Sequence, residues 1–159
     1  ANQEQDWLKS NLARITGLIQ GHRDLTVVAE LIVDELTPLV SAQYGAFYLA
    51  EDTADGTELR LIGSYGRPAG MEETRFRLGE SLVGQAARSR RTITVDDVPA
   101  DYLRISSGLG TTAPGSLVVL PIVVEDQVLA VVELGSFTSF TPVHQDFLQQ
   151  LMEAIGVNV

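Results

Sequence analysis

Two histidines, His22 and His144, are the only imidazoles available for acid–base or metal chemistry. Neither lies near a cysteine or serine motif, and His144 with Asp146 does not complete a metal site. Both read as surface or capping histidines. The acidic pair Asp96-Asp97 falls at a strand end, where aspartates serve turns. Gly108-Leu109-Gly110 is too short to cradle a phosphate. The chain has no cysteine. That removes disulfides, thiolate metal sites, thiol nucleophiles and thioether-linked chromophores together. No catalytic residue and no metal ligand is assigned.

Charge narrows the partners. The 159 residues carry a formal net charge of −10, so nucleic acid and anionic lipid are poor partners. The charge is uneven. No Lys or Arg follows residue 104, and seven of the eleven basic residues lie between Arg60 and Arg91. This reads as a solvated surface, with an anion site or partner face in the middle segment as the sharper alternative. Hydrophobic residues make up 45% of the chain, enough for the core of one domain. There is no signal peptide and no apolar run near twenty residues. A soluble chain without membrane contact is expected, in a reducing compartment, and it could be a piece of a membrane receptor.

The positioning elements follow from periodicity. Leu8, Leu12, Ile15 and Ile19 step by four, three and four, which keeps them on one helical stripe. Gly21-His22 breaks that helix. Asp24 caps a second over Leu25–Leu39. Strand patterns follow at 45–50, 59–65 and 74–78. In the second of these Leu59, Leu61, Gly63 and Tyr65 are expected on one face. Ser81 is expected to cap a short helix through Arg88, and a fourth strand occupies 93–98. Residues 99–115 form a long loop rich in Ser, Gly and Thr, a feature that often carries function. Two apolar runs, 117–124 and 128–134, read as a hairpin in the middle of a sheet. Pro121 there requires a bulge or a free edge, because it cannot donate to a ladder. From Thr141 a last helix carries Phe147, Leu148, Leu151 and Ile155 on one stripe. The short links predict an α+β fold with a mostly antiparallel sheet. Terminal helices would cover one face, and the middle helix with the long loop the other.

These residues resemble a known family. Gly45-Ala46-Phe47-Tyr48-Leu49, then Leu59-Arg60-Leu61 and Tyr65-Gly66, are similar to the first hairpin of a GAF domain. Phe76-Arg77-Leu78-Gly79-Glu80-Ser81-Leu82-Val83-Gly84-Gln85-Ala86 resembles its strand, glycine turn and short helix. The segment from Asp97-Val98-Pro99 through Tyr102-Leu103-Arg104-Ile105 to Gly108-Leu109-Gly110 resembles GAF domains of bacterial, often hybrid, sensor histidine kinases. Val128-Leu129-Ala130-Val131-Val132-Glu133-Leu134 fits the same group, with Ala130 where the family favours glycine. The resemblance implies a GAF-like six-stranded antiparallel sheet over residues 23–159. Residues 1–22 would be a linker helix, and the last helix, from about 141, would continue toward a downstream module.

In the family a ligand pocket lies between the sheet and the middle helix plus long loop. Carried over, it implies Tyr65, Arg67, Phe76, Leu82, Val83, Tyr102, Arg104, Ile105 and Leu109 as candidate ligand-binding residues, with Tyr102 and Arg104 the sharpest. Plain core packing is the competing reading for the apolar ones. The resemblance leaves the cofactor unknown. A covalent bilin needs a cysteine, as does a methionine sulfoxide reductase of this type, so both are excluded. Haem and cyclic nucleotide are disfavoured, since no histidine falls in the pocket region and the only lysine is Lys9. The role the resemblance implies is sensory and regulatory, not enzymatic, in a cytoplasmic histidine kinase, by binding a small molecule or by acting as a dimerising relay. A transcription regulator or a cyclic-nucleotide signalling enzyme is the alternative host. The stripes Leu8, Leu12, Ile15, Ile19 and Phe147, Leu148, Leu151, Ile155 suggest a homodimer, with part of each stripe on the sheet and part on a partner.

Overall fold

The computed structural model describes residues 2–66, 74–98, 105–107, 110–112 and 115–158. Side-chain caps open two of the four helices. Helix α1 spans Asn2–Ile19. The Asp24 carboxylate then accepts the Thr26 N–H at 3.0 Å and opens α2, Leu25–Leu39. The short helix α3, Ser81–Ser89, departs from expectation at its start. Its N-cap is Glu80, not Ser81. Gly79, at φ +84, turns the chain so that Glu80 takes the extended conformation an N-cap needs, and its carboxylate accepts the Arg77 N–H at 3.1 Å. Helix α4, Pro142–Asn158, begins as predicted, with Thr141 Oγ1 accepting the His144 N–H at 3.2 Å.

The main sheet has six strands, every pair antiparallel. In spatial order they are β3 (Arg75–Arg77), β2 (Gly56–Tyr65), β1 (Tyr44–Thr53), β8 (Gln127–Ser136), β7 (Ser116–Val124) and β4 (Ile93–Asp96). The α+β class and the sheet are as the sequence predicts. Two details differ. Strand β1 runs on through Glu51 and Asp52, where Arg60 of β2 grips Glu51 through two bonds at 2.9 and 3.0 Å. The segment expected as one long loop contains two short antiparallel strands, β5 (Ile105–Ser107) and β6 (Gly110–Thr112). Pro121 meets its constraint by the free-edge route. The pairing of β4 with β7 ends at Ile93 opposite Val119, so Pro121 lies beyond it.

The sheet separates two cores. Phe47, Val118, Leu120, Val132 and Leu134 face α1, α2 and α4. The eight stripe residues belong here. Leu8, Ile15, Ile19, Phe147, Leu148, Leu151 and Ile155 are buried, and Leu12 packs on the same cluster. The expectation that part of each stripe faces a partner is therefore corrected. One chain covering its own sheet consumes both stripes. Helix α3 covers the opposite face, with Val83, Ala86 and Ala87 buried against Tyr44, Tyr48, Leu59 and Val131. Among the described residues no helix is long and apolar enough to cross a membrane.

A bulge reassigns one strand. Phe47 pairs with Gly63, but Tyr48 pairs with Leu61, so Ile62 is an extra residue in β2. Leu59 and Leu61 belong to the cluster under α3, whereas Ile62 and Tyr65 pack on the terminal-helix side. Gly63 also faces α2, where a Cβ would lie 3.1 Å from Ala29 C and Glu30 N. The shared face expected for Leu59, Leu61, Gly63 and Tyr65 is thus split. One inserted residue shifts everything after it by one side. Gly63→Ala is expected to cost about 1–3 kcal/mol, because backbone must move to admit the methyl. Urea denaturation measures this, and an unchanged midpoint would show that α2 does not press on the sheet here.

Candidate functional site

Strand alternation assembles a surface beneath α3. Tyr44, Ala46 and Tyr48 come from β1, Leu59 and Leu61 from β2, Leu117 and Val119 from β7, and Val131 from β8. Glu133 lies two residues beyond Val131, and so on the same side. It pairs with Ala46 on one flank and Val119 on the other. The small Ala46 leaves Tyr44 and Tyr48 as diagonal neighbours of Glu133. Both phenol oxygens are buried. Phe76 of β3 closes one end, its ring 5.6 Å from that of Tyr48.

Of the nine ligand candidates, the structure brings three together. Phe76 and Leu82 are half-buried against this cluster, and Val83 is wholly buried in it. Their packing is that of core residues as much as of a pocket wall. Tyr65 is placed on the other face by the bulge in β2, packed against the terminal-helix core. Its assignment to the pocket side is corrected on that ground. Ile105 opens β5, opposite Thr112. Arg67, Tyr102, Arg104 and Leu109 lie outside the described residues.

Glu133 is the residue that sequence reasoning passed over. It is only 3% exposed, and a carboxylate that deep costs several kcal/mol to desolvate. The signal was present, since it is the one charge in the apolar run 128–134. In a strand read as buried on both sides, a single acid has to face one of the two cores.

His144 is neither a plain surface histidine nor a cap through its ring. The ring lies 5.2 Å from that of Trp7, which in turn meets Phe147 edge-on at 5.2 Å. Burial pushes the imidazole pKa down, partly offset by a hydrogen bond to the Val40 backbone. His144 thus helps to dock α1 on α4. Among the described residues no group of three or more His, Cys, Asp and Glu could hold a metal.

The sheet is thus covered by α1, α2 and α4 on one face and by a short helix on the other. The chain belongs to the GAF domain family, whose profile matches residues 22–159. Solved structures agree in fold. The GAF domain of a phosphoenolpyruvate-protein phosphotransferase from Coxiella burnetii superposes with a TM-score of 0.78 at 19% identity, over 95% of this chain and 91% of that one. A putative GAF sensor protein from Burkholderia vietnamiensis gives 0.74 at 22% identity, over 98% and 89%. The free methionine-R-sulfoxide reductase of Neisseria meningitidis, solved with its substrate, gives 0.74 at 23%, over 95% and 87%. No curated protein matches the chain.

His144 yields a pH dependence. The unfolded chain binds its proton with the ordinary histidine pKa of about 6.5, and the folded chain binds it more weakly. The contribution of a neutral His144 is therefore complete above that value. It is lost as pH falls through the folded pKa, because the unfolded state gains the proton first. Unfolding free energy should drop as pH falls below about 6.5 more in the parent than in His144→Gln. Denaturation followed by Trp7 fluorescence checks this, and equal slopes would remove His144 from the linkage.

Proposed function

We propose that this GAF domain is the sensory module of a bacterial signal-transduction histidine kinase, working in the cytoplasm. It binds a small molecule on the sheet face beneath α3. The observation that carries this reading is the buried Glu133, set between Tyr44 and Tyr48 on a floor otherwise made of aliphatic side chains. Apolar walls with a few placed polar groups are what small-molecule sites use. The sequence resemblance of residues 97–110 supports the kinase host.

Transmission follows from the layering. Strands β1, β8 and β7 hold the ligand face on one side and the core of α1, α2 and α4 on the other. A ligand that favours one arrangement of the α3 face shifts the population of helix positions across a single layer. The terminal helices then carry that bias into neighbouring domains. A pair of copies aligned along α1 and α4 would meet through the outer sides of these helices, since the stripes are occupied.

A metabolite panel read by thermal shift, with native mass spectrometry of the purified protein, tests the binding step. A ligand at a hundred times its Kd should stabilise the domain by about 2.7 kcal/mol. Glu133→Gln and the sequence-derived Tyr102→Ala and Arg104→Ala should each reduce that shift while leaving a cooperative melt. If no compound moves the melting temperature, the domain is a relay without a ligand. A DNA-binding segment in place of a phosphoacceptor helix in the host would overturn the kinase assignment.

A further inference from the structure

A recess of about 510 Å³ opens at the C-terminal end of α3, a size in the range of small-molecule sites. Arg88 and Arg90 line it, and so do Asp52 and Asp126. None of these four forms an ion pair among the described residues, whereas Arg60 and Arg75 are matched to Glu51 and Glu58 close by. Two positive and two negative side chains thus line one recess without neutralising each other.

Two of these side chains, Arg90 and Asp52, are hydrogen-bonded to uncharged groups. Arg90 Nη1 donates to the Asp126 carbonyl at 3.0 Å. Asp52 Oδ1 accepts the Thr57 hydroxyl at 3.2 Å. The Arg88 guanidinium lies against Gly79, in space that a side chain there would need. Arg90, at φ 58, is the left-handed C-cap of α3, and Glu125 at φ 51 with Asp126 at φ 65 form the two-residue turn of the β7–β8 hairpin, which favours positive φ at both positions. The rest of the lining includes apolar groups, among them Ala50, Val128 and Leu78, the last 41% exposed.

A dianion would be repelled by the two aspartates, and a dication by the two arginines. A planar guanidinium matches a carboxylate through paired donors. We propose that this recess binds a small zwitterion with an apolar body, such as a free amino acid. Its carboxylate would meet Arg88 and Arg90, its ammonium Asp52 and Asp126, and its hydrocarbon Ala50, Val128 and Leu78. The recess adjoins the edge of the face beneath α3, sharing Ala87, Ala50 and Val128 with its cluster, but Tyr44, Tyr48 and Glu133 do not line it.

Titration of the intact chain with L-leucine, followed by amide NMR at low salt, tests the proposal. N-acetyl-L-leucine lacks the ammonium, and L-leucinamide lacks the carboxylate. The expected result is saturable perturbation centred on Arg88, Arg90 and Asp126, weakened at least about tenfold by either derivative. Arg88→Gln and Asp52→Asn, both at exposed positions, should weaken L-leucine binding as much, while Arg14→Gln on α1 should not. Unchanged circular dichroism confirms that the variants fold. The proposal is overturned if both derivatives bind as tightly as L-leucine, or if L-leucine causes no perturbation at about 10 mM, well above a millimolar Kd. It is also overturned if the perturbations centre on Ala46, Val83 and Glu133. In that last case the reading of the α3 face survives and this one does not.

Discussion

The central strands β1, β8 and β7 are apolar on both sides, so water must be excluded from both faces of one sheet. In β7, Leu117 and Val119 are buried toward α3, while Val118 and Leu120 are buried toward the terminal helices. A fully buried side chain of this kind contributes about 1.5–3 kcal/mol, and neither set could be left wet without losing the strand. This constraint explains why α1 is part of the core although it precedes residue 22, where the family match begins. It also explains why the terminal stripes are not spare surface. The sheet needs them first.

Double coverage creates the functional asymmetry. Three helices on one face are long and fill it with branched aliphatic residues and Phe147. The single short helix on the other face leaves room for polar groups, and the one buried acid of the central strands lies there. An insertion of one residue in β2 keeps Leu59 and Leu61 on that face and moves Gly63 and Tyr65 to the other. The bulge thus removes an aromatic ring from the α3 side and closes α2 against the sheet. A single backbone irregularity decides which side chains of β2 face α3.

Charge is organised by the same layering. A chain of net charge −10 keeps its arginines largely in the middle segment. Arg60 of β2 and Arg75 of β3 are matched across strands to Glu51 and Glu58, while Arg88 and Arg90 at the end of α3 form no ion pair among the described residues. Exposed pairs of the first kind add little stability. Their structural effect is register: Arg60 reaching Glu51 aligns the end of the β1–β2 hairpin.

What the amino-acid sequence determined by itself was everything set by local period and capping. The helices opened by Asp24 and Thr141, the apolar hairpin of β7 and β8, the constraint at Pro121 and the antiparallel α+β class all follow from short-range rules. Three other things needed the folded chain. The face of Tyr65 depends on a bulge, which leaves no period of its own in ten residues. The use of the two helical stripes depends on how much sheet one chain must cover, which no single helix encodes. The importance of Glu133, Arg88 and Asp52 depends on which strands and turns become neighbours, and neighbours distant in sequence are decided only when the two cores close.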